Sequence, residues 1–207
     1  VTSYQDVLQY WFGTTDAIRD GNFPPEKYRI WFAGGEQVDR EIRERFAELV
    51  IQARNAELED WLQSADSRLA LILLLDQFTR NIYRGTDQAF AADHLALKYA
   101  LQAIECGHDQ ELAPIARAFF YMPLEHDESL EHQDRCVELF ESLTHQAPDA
   151  HVELFQGFLD YAVQHRDIIA RFGRFPHRNA ILGRESTAEE LAYLEATDVH
   201  FGQKASS

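Results

Sequence analysis

The chain has 207 residues, 45% of them hydrophobic and 12% aromatic, enough to bury one continuous core and too apolar for disorder. Its formal net charge is −16, and so acidic a surface repels phosphate backbones and anionic bilayers, which argues against nucleic-acid and membrane partners. The two cysteines, Cys106 and Cys136, sit in apolar, helix-patterned stretches and read as reduced core residues, which favours a cytoplasmic location.

Residues 1–6 lack the basic and apolar regions of a signal peptide. The longest dense apolar run, Leu69 to Leu75, is too short to span a bilayer. Ser3 with Asp6 opens a first helix that ends near Gly13. Pro24 and Pro25 suit the first turn of a short helix carrying Tyr28, Ile30, Trp31 and Phe32, broken by Gly34 and Gly35. From Glu36, Val38, Ile42, Phe46, Leu49, Val50 and Ala53 recur at threes and fours, one face of a long helix whose other face is solvated Arg and Glu. Asp66 or Ser67 caps the next helix, apolar on every side in its first half and therefore central in the fold. Asp87 caps a helix running to Gly107. Helices are then predicted over Asp109–Met122, Pro123–Gln146 and Asp149–Phe172, and Ser186 to Glu190 form a capping box for a last short one. No strand-like alternation stands out. The fold class is all-α: an antiparallel helix-pair array over residues 1–200, either a compact multi-helix bundle or a solenoid, with no clean repeat period and a frayed tail at 201–207.

Three polar clusters carry the candidate chemistry. In the first, Asp76, Arg80, Arg84, Gln77 and Asn81 fall at roughly 0°, 40°, 80°, 100° and 140° around a regular helix. Such an arc on a central helix is either satisfied internally, by pairs such as Asp76–Arg80, or lines a cavity in which the arginines bind an anion and the amides orient it. In the second, seven-residue spacing sets Glu125 with His132 and His126 with Gln133; Glu125 and His126 are the candidate acid–base pair, against a surface or structural role. The third, residues 165–184, holds five arginines and one acid, a charge of +4 in an acidic chain. Arginine offers planar bidentate donors for carboxylate or phosphate. Its candidates are His165, Arg171, Arg174, His177, Arg178, Asn179 and Arg184, on a loop pinned by Phe175, Pro176 and Ile181. The competing reading pairs these arginines with the chain's own acids.

At these residues the chain resembles the bacterial family catalogued as Domain of Unknown Function 924. The signatures are residues 75–86, 121–126 and 171–184, supported by residues 7–13, and the resemblance covers roughly residues 4–195. Thr79 stands where the family pattern has proline, a change expected to alter a local bend. The resemblance implies a fold similar to tetratricopeptide-type helix-pair superhelices and implies no activity. Cys106, followed by Gly107 and His108, reads as core and not as a nucleophile. There is no phosphate-loop or dinucleotide fingerprint, no metal-ligand spacing and no cofactor motif. The expected function is binding of a small phosphate- or carboxylate-bearing ligand or peptide in a pocket built from Arg80, Arg84, Arg174, His177, Arg178 and Asn179. The alternatives are a hydrolase or transferase using Glu125 and His126, and a protein scaffold.

Overall fold

A computed structural model describes residues 2–14 and 16–203. Among them are ten α-helices and no strand: α1 (Tyr4–Phe12), α2 (Ala17–Asp20), α3 (Glu36–Arg54), α4 (Ala65–Leu73), α5 (Thr79–Ile82), α6 (Asp93–Cys106), α7 (Pro114–Glu125), α8 (Leu130–Gln146), α9 (Val152–Phe172) and α10 (Ala188–Ala196). The all-helical expectation holds. No helix among these residues is long and apolar enough to cross a membrane.

The first helix forms as its cap predicts. The Ser3 amide donates to the Asp6 carboxylate at 2.7 Å, and Gly13 ends the helix with φ of 95°. A Cβ at Gly13 would press to 2.7 Å from the Pro24 ring, so glycine is required there on two counts. In α3 the predicted stripe from Val38 to Ala53 is buried, as a helix with one apolar face demands. The cap of α4 differs from expectation: Ser64, not Asp66 or Ser67, accepts the Ser67 amide at 3.3 Å. The short helix expected to carry Tyr28, Ile30, Trp31 and Phe32 is instead a π-helical turn, Arg29–Ala33.

The central helix departs most from the sequence reading. Between α4 and α5 the chain makes a π-helical turn, Leu74–Phe78, and the Thr79 hydroxyl donates to the Leu74 carbonyl at 2.9 Å. A π turn inserts one extra residue and breaks the regular spacing, and such insertions are common at functional sites. Leu69 to Leu75 are almost fully excluded from solvent, and α4 with this turn packs on α1, α3, α6 and α7. Aromatic rings interlock in this core. Trp11 meets Phe119 edge to face at 5.5 Å and Phe78 at a tilt at 5.4 Å, and Phe119 meets Phe158 of α9 edge to face at 6.3 Å.

Several boundaries shift. Asp87 heads only a 3-10 turn, and α6 begins at Asp93. Asp109 and Asp149 likewise head 3-10 turns before α7 and α9. Pro123 does not start a helix; it lies inside α7, which Pro114 begins and which ends two residues later at Glu125. A proline so near a helix end removes one late N–H donor and is tolerated there better than at mid-helix. The buried Gln133 amide of α8 then caps the turn, donating to the carbonyls of Glu125 at 2.6 Å and Asp127 at 2.7 Å. Thr187 and Glu190 form the predicted capping box of α10. Cys136 is buried as expected, whereas Cys106, at the end of α6, is exposed. Phe201 to Gln203, expected to fray, instead fold back: the Gly85 amide donates to the Gln203 side chain at 3.0 Å, and Arg84 donates to the Gly202 carbonyl at 2.7 Å. Residues 204–207 lie outside the described residues.

Candidate functional site

One cavity of about 640 Å³ opens between these elements. Residues 28–35, α5, the end of α7, the outer face of α9 and the returning Phe201–Gln203 segment line it. Its lining is mixed. Trp31, Phe32, Phe158 and Met122 are apolar; Gln77, Arg80, Asn81, Arg84, Glu125, His126 and His165 are polar or charged. A largely apolar pocket with a few convergent polar groups is the usual form of a small-molecule site.

The first cluster and the Glu125–His126 pair therefore meet, although about forty positions separate them in the chain. The π turn buries Asp76 against α7, where its carboxylate takes three donors: His126 Nδ1 and Gln77 Nε2 at 2.6 Å each and the Arg80 guanidinium at 2.9 Å. Burial opposes ionisation of Asp76, but the His126 ring and Arg80 outweigh it and hold the carboxyl well below the usual range. Arg80 also makes a bidentate pair with Asp93, both bonds 2.9 Å. Arg84 is bidentate on Asp39 at 2.6 and 2.8 Å, and Asn81 bonds the same carboxylate at 2.8 Å. Neither Asp39 nor Asp93 stands out in the sequence, because their partners lie on other elements.

Glu125 is 5% exposed, and among the described residues its carboxyl pairs only with His165 Nδ1, at 3.5 Å. Burial, with Asp76 adding, pushes its carboxyl up to about 8 against the pull of Arg80. His126 moves the other way: burial and then Arg80 lower it, against Asp76. His165 donates Nδ1–H to the Tyr161 carbonyl at 2.8 Å and stacks on Phe201 with ring centroids 3.7 Å apart. The expected Glu125–His132 face is absent, since the break after α7 separates them; His132 bonds Asp127 at 2.6 Å instead.

The third cluster scatters. Only His165 reaches the cavity wall. Arg171 pairs with Glu189 on the surface at 2.9 Å. Arg174 is bidentate on Glu190 at 2.7 and 2.8 Å, and Asn179 bonds the same carboxylate at 3.2 Å. Arg184 is bidentate on Glu128 at 2.7 and 3.0 Å, tying the loop to the segment after α7. Arg178 is buried between the rings of Phe90 and Phe175, 3.7 Å from Asp93; burial and then Arg80 bring it down to about 10. Beside it His177 is pushed down to about 3, chiefly by burial and then by Arg178. The arginine-rich loop is thus largely internal structure. The six-residue pocket anticipated around Arg174, His177, Arg178 and Asn179 is not assembled, because neighbouring acids satisfy those groups or aromatic rings cover them.

No group of three or more His, Cys, Asp or Glu side chains among the described residues is placed to hold a metal ion. The residues that sequence reasoning missed are the apolar part of the lining and the returning tail. Gln203 is 4% exposed, accepts from Gly85 and donates to the Arg80 carbonyl at 3.3 Å. Gln203→Ala is expected to cost about 1 kcal/mol, the usual result of leaving a covered amide without its acceptor. Amide hydrogen exchange at Gly85 should accelerate with it; unchanged exchange would show that the tail does not shield that turn.

The family model for bacterial proteins of unknown function (DUF924) matches residues 7–198. Among curated proteins no match was found. A solved structure of a protein of unknown function, ATU0120 from Agrobacterium tumefaciens, is 40% identical with a TM-score of 0.78, over 94% of this chain and 97% of that one. From the helical signatures, the fold and these matches together, the chain belongs to the bacterial DUF924 family.

Proposed function

We infer that this protein binds a small amphipathic anion, with a carboxylate or similar head and an apolar body. The observation that carries this reading is the cavity's mixed apolar and cationic lining. Trp31, Phe32 and Phe158 offer stacking and apolar burial, while Arg80, Arg84 and Gln77 offer donors in the same cavity. Each arginine is already held by a carboxylate, so the head would meet rigid, pre-oriented guanidinium edges whose net charge is partly cancelled. That arrangement favours a weakly charged carboxylate over a dense phosphate. The packing of α7 on α8 and of α8 on α9 supports a tetratricopeptide-like helix-pair array in this half of the molecule. The free thiols Cys106 and Cys136 are consistent with a reducing, cytoplasmic setting.

Gly157 supplies the test. It lies on α9 and lines the cavity, and a Cβ built there meets nothing within 4 Å. Glycine inside a helix costs about 1 kcal/mol relative to alanine. Gly157→Leu should therefore fold at least as stably as the parent while narrowing the cavity. Octanoate and phenylacetate are expected to raise the melting temperature and change the fluorescence of Trp11 and Trp31 in the parent. Inorganic phosphate should do neither, and Gly157→Leu should respond to none of the three. Equal responses from parent and Gly157→Leu would place binding elsewhere.

A further inference from the structure

Ligand binding alone leaves Glu125 and His126 at the cavity wall, and Asp76 behind them, without a task. Asp76, already fixed by Arg80 and Gln77, sits 2.6 Å from His126 Nδ1. A carboxylate held in this way takes the ring hydrogen on Nδ1 and leaves the lone pair on Nε2. His126 lines the cavity, and among the described residues no hydrogen bond reaches its Nε2. Glu125, the next residue, lines the same space as a carboxylic acid that burial keeps protonated at neutral pH. A base and an acid whose environments drive their proton affinities apart are the usual parts of a proton-transfer site.

The wall also limits the chemistry. Among the described residues that line the cavity there is no serine, threonine or cysteine, so it offers no aliphatic hydroxyl or thiol nucleophile, only the phenols of Tyr28 and Tyr161. Its apolar lining residues disfavour a reaction that needs bulk water. Removing a proton from carbon needs neither a nucleophile nor water, and it uses both groups present.

We propose that the cavity enolises a 2-oxo carboxylate with an apolar side chain, with His126 as the base and Glu125 as the acid. This rests on the amphipathic-anion reading of the same cavity. In the step, the C–H bond next to the ketone breaks and its proton passes to His126 Nε2. The electron pair forms the carbon–carbon double bond of the enol, and the carbonyl oxygen takes the Glu125 proton. Asp76 steadies the resulting imidazolium and is a positioning residue. Return of both protons regenerates the ketone and the two side chains, on the same or the opposite face of the carbon.

Phenylpyruvate and 2-oxooctanoate in deuterium oxide test this, with loss of the proton signal at the carbon beside the ketone as the readout and ligand line broadening reporting binding separately. The parent is expected to exchange these protons at least about a hundredfold faster than buffer. His126→Gln keeps a donor for Asp76 yet should lose most of that gain, as should Glu125→Leu. Arg171→Ala, altering a surface pair, should leave the rate unchanged. Binding of either compound with exchange at the buffer rate overturns the enolisation and leaves the binding reading intact. Failure of both to bind overturns the two together. The comparison of parent with buffer needs no variant, and Glu125→Leu decides the assignment should His126→Gln fail to fold.

Discussion

Replacing Arg80 with alanine is expected to lower the unfolding free energy by about 3–5 kcal/mol, the cost of leaving buried charge uncompensated. Arg80 is 12% exposed and stands between two carboxylates, Asp76 and Asp93. Asp76 is 1% exposed and cannot turn to water. Without the guanidinium, its ionised form keeps only His126 and Gln77, and Asp93 keeps only the longer contact with Arg178 at 3.7 Å. Protonation is the available relief, so the variant should also take up a proton on folding and lose less stability under acid. Urea unfolding at neutral pH gives the comparison, with Arg171→Ala as the reference. That exposed pair should be worth well under about 1 kcal/mol. Equal losses in the two variants would show that the Asp76–Arg80–Asp93 chain does not hold the central helix.

The second large effect is a change in how stability depends on pH. In Glu125→Gln the group whose carboxyl is raised from 4.5 to about 8 is gone. A carboxyl raised by folding contributes stability that is complete below about 4.5. That contribution falls as pH rises, because the unfolded chain ionises first, and it is exhausted near 8. The parent should therefore lose stability between pH 5 and 7 relative to Glu125→Gln, by about 2–3 kcal/mol. His126 and His165, both lowered, act in the opposite sense: they add stability as pH rises through the ordinary histidine range. They are present in both proteins, so the difference between the two curves isolates Glu125. The groups facing it are Asp76, Arg80, His126, His165 and Cys136. Parallel curves for the two proteins would mean that Glu125 is ionised in the fold at neutral pH.

Much of the fold was legible because helix formation is local. The α3 stripe, the Ser3–Asp6 cap, the all-apolar run of α4 and the Thr187–Glu190 box depend on residues three or four apart, and each appears in the structure. The errors were local conflicts that packing resolved. Pro123 resembles a helix start, yet Pro114 and the buried face of α7 carry the helix through it. Asp87 and Asp109 suit helix caps, yet the chain spends them on single 3-10 turns.

The site was half visible for the same reason. Composition and periodicity by themselves determined an all-helical chain, a buried central helix bearing Asp76, Arg80 and Arg84, and an unusual Glu125–His126 step. Only the tertiary structure decided which arginine meets which acid. It gave Glu190 to Arg174, Glu128 to Arg184 and Asp39 to Arg84, and so left the loop of residues 171–184 as scaffold. It also decided that His126 leans on Asp76 beside an aromatic wall. Charge pairing and cavity shape depend on side chains distant in sequence and brought together by burial of the core, and no periodicity along the chain encodes that distance.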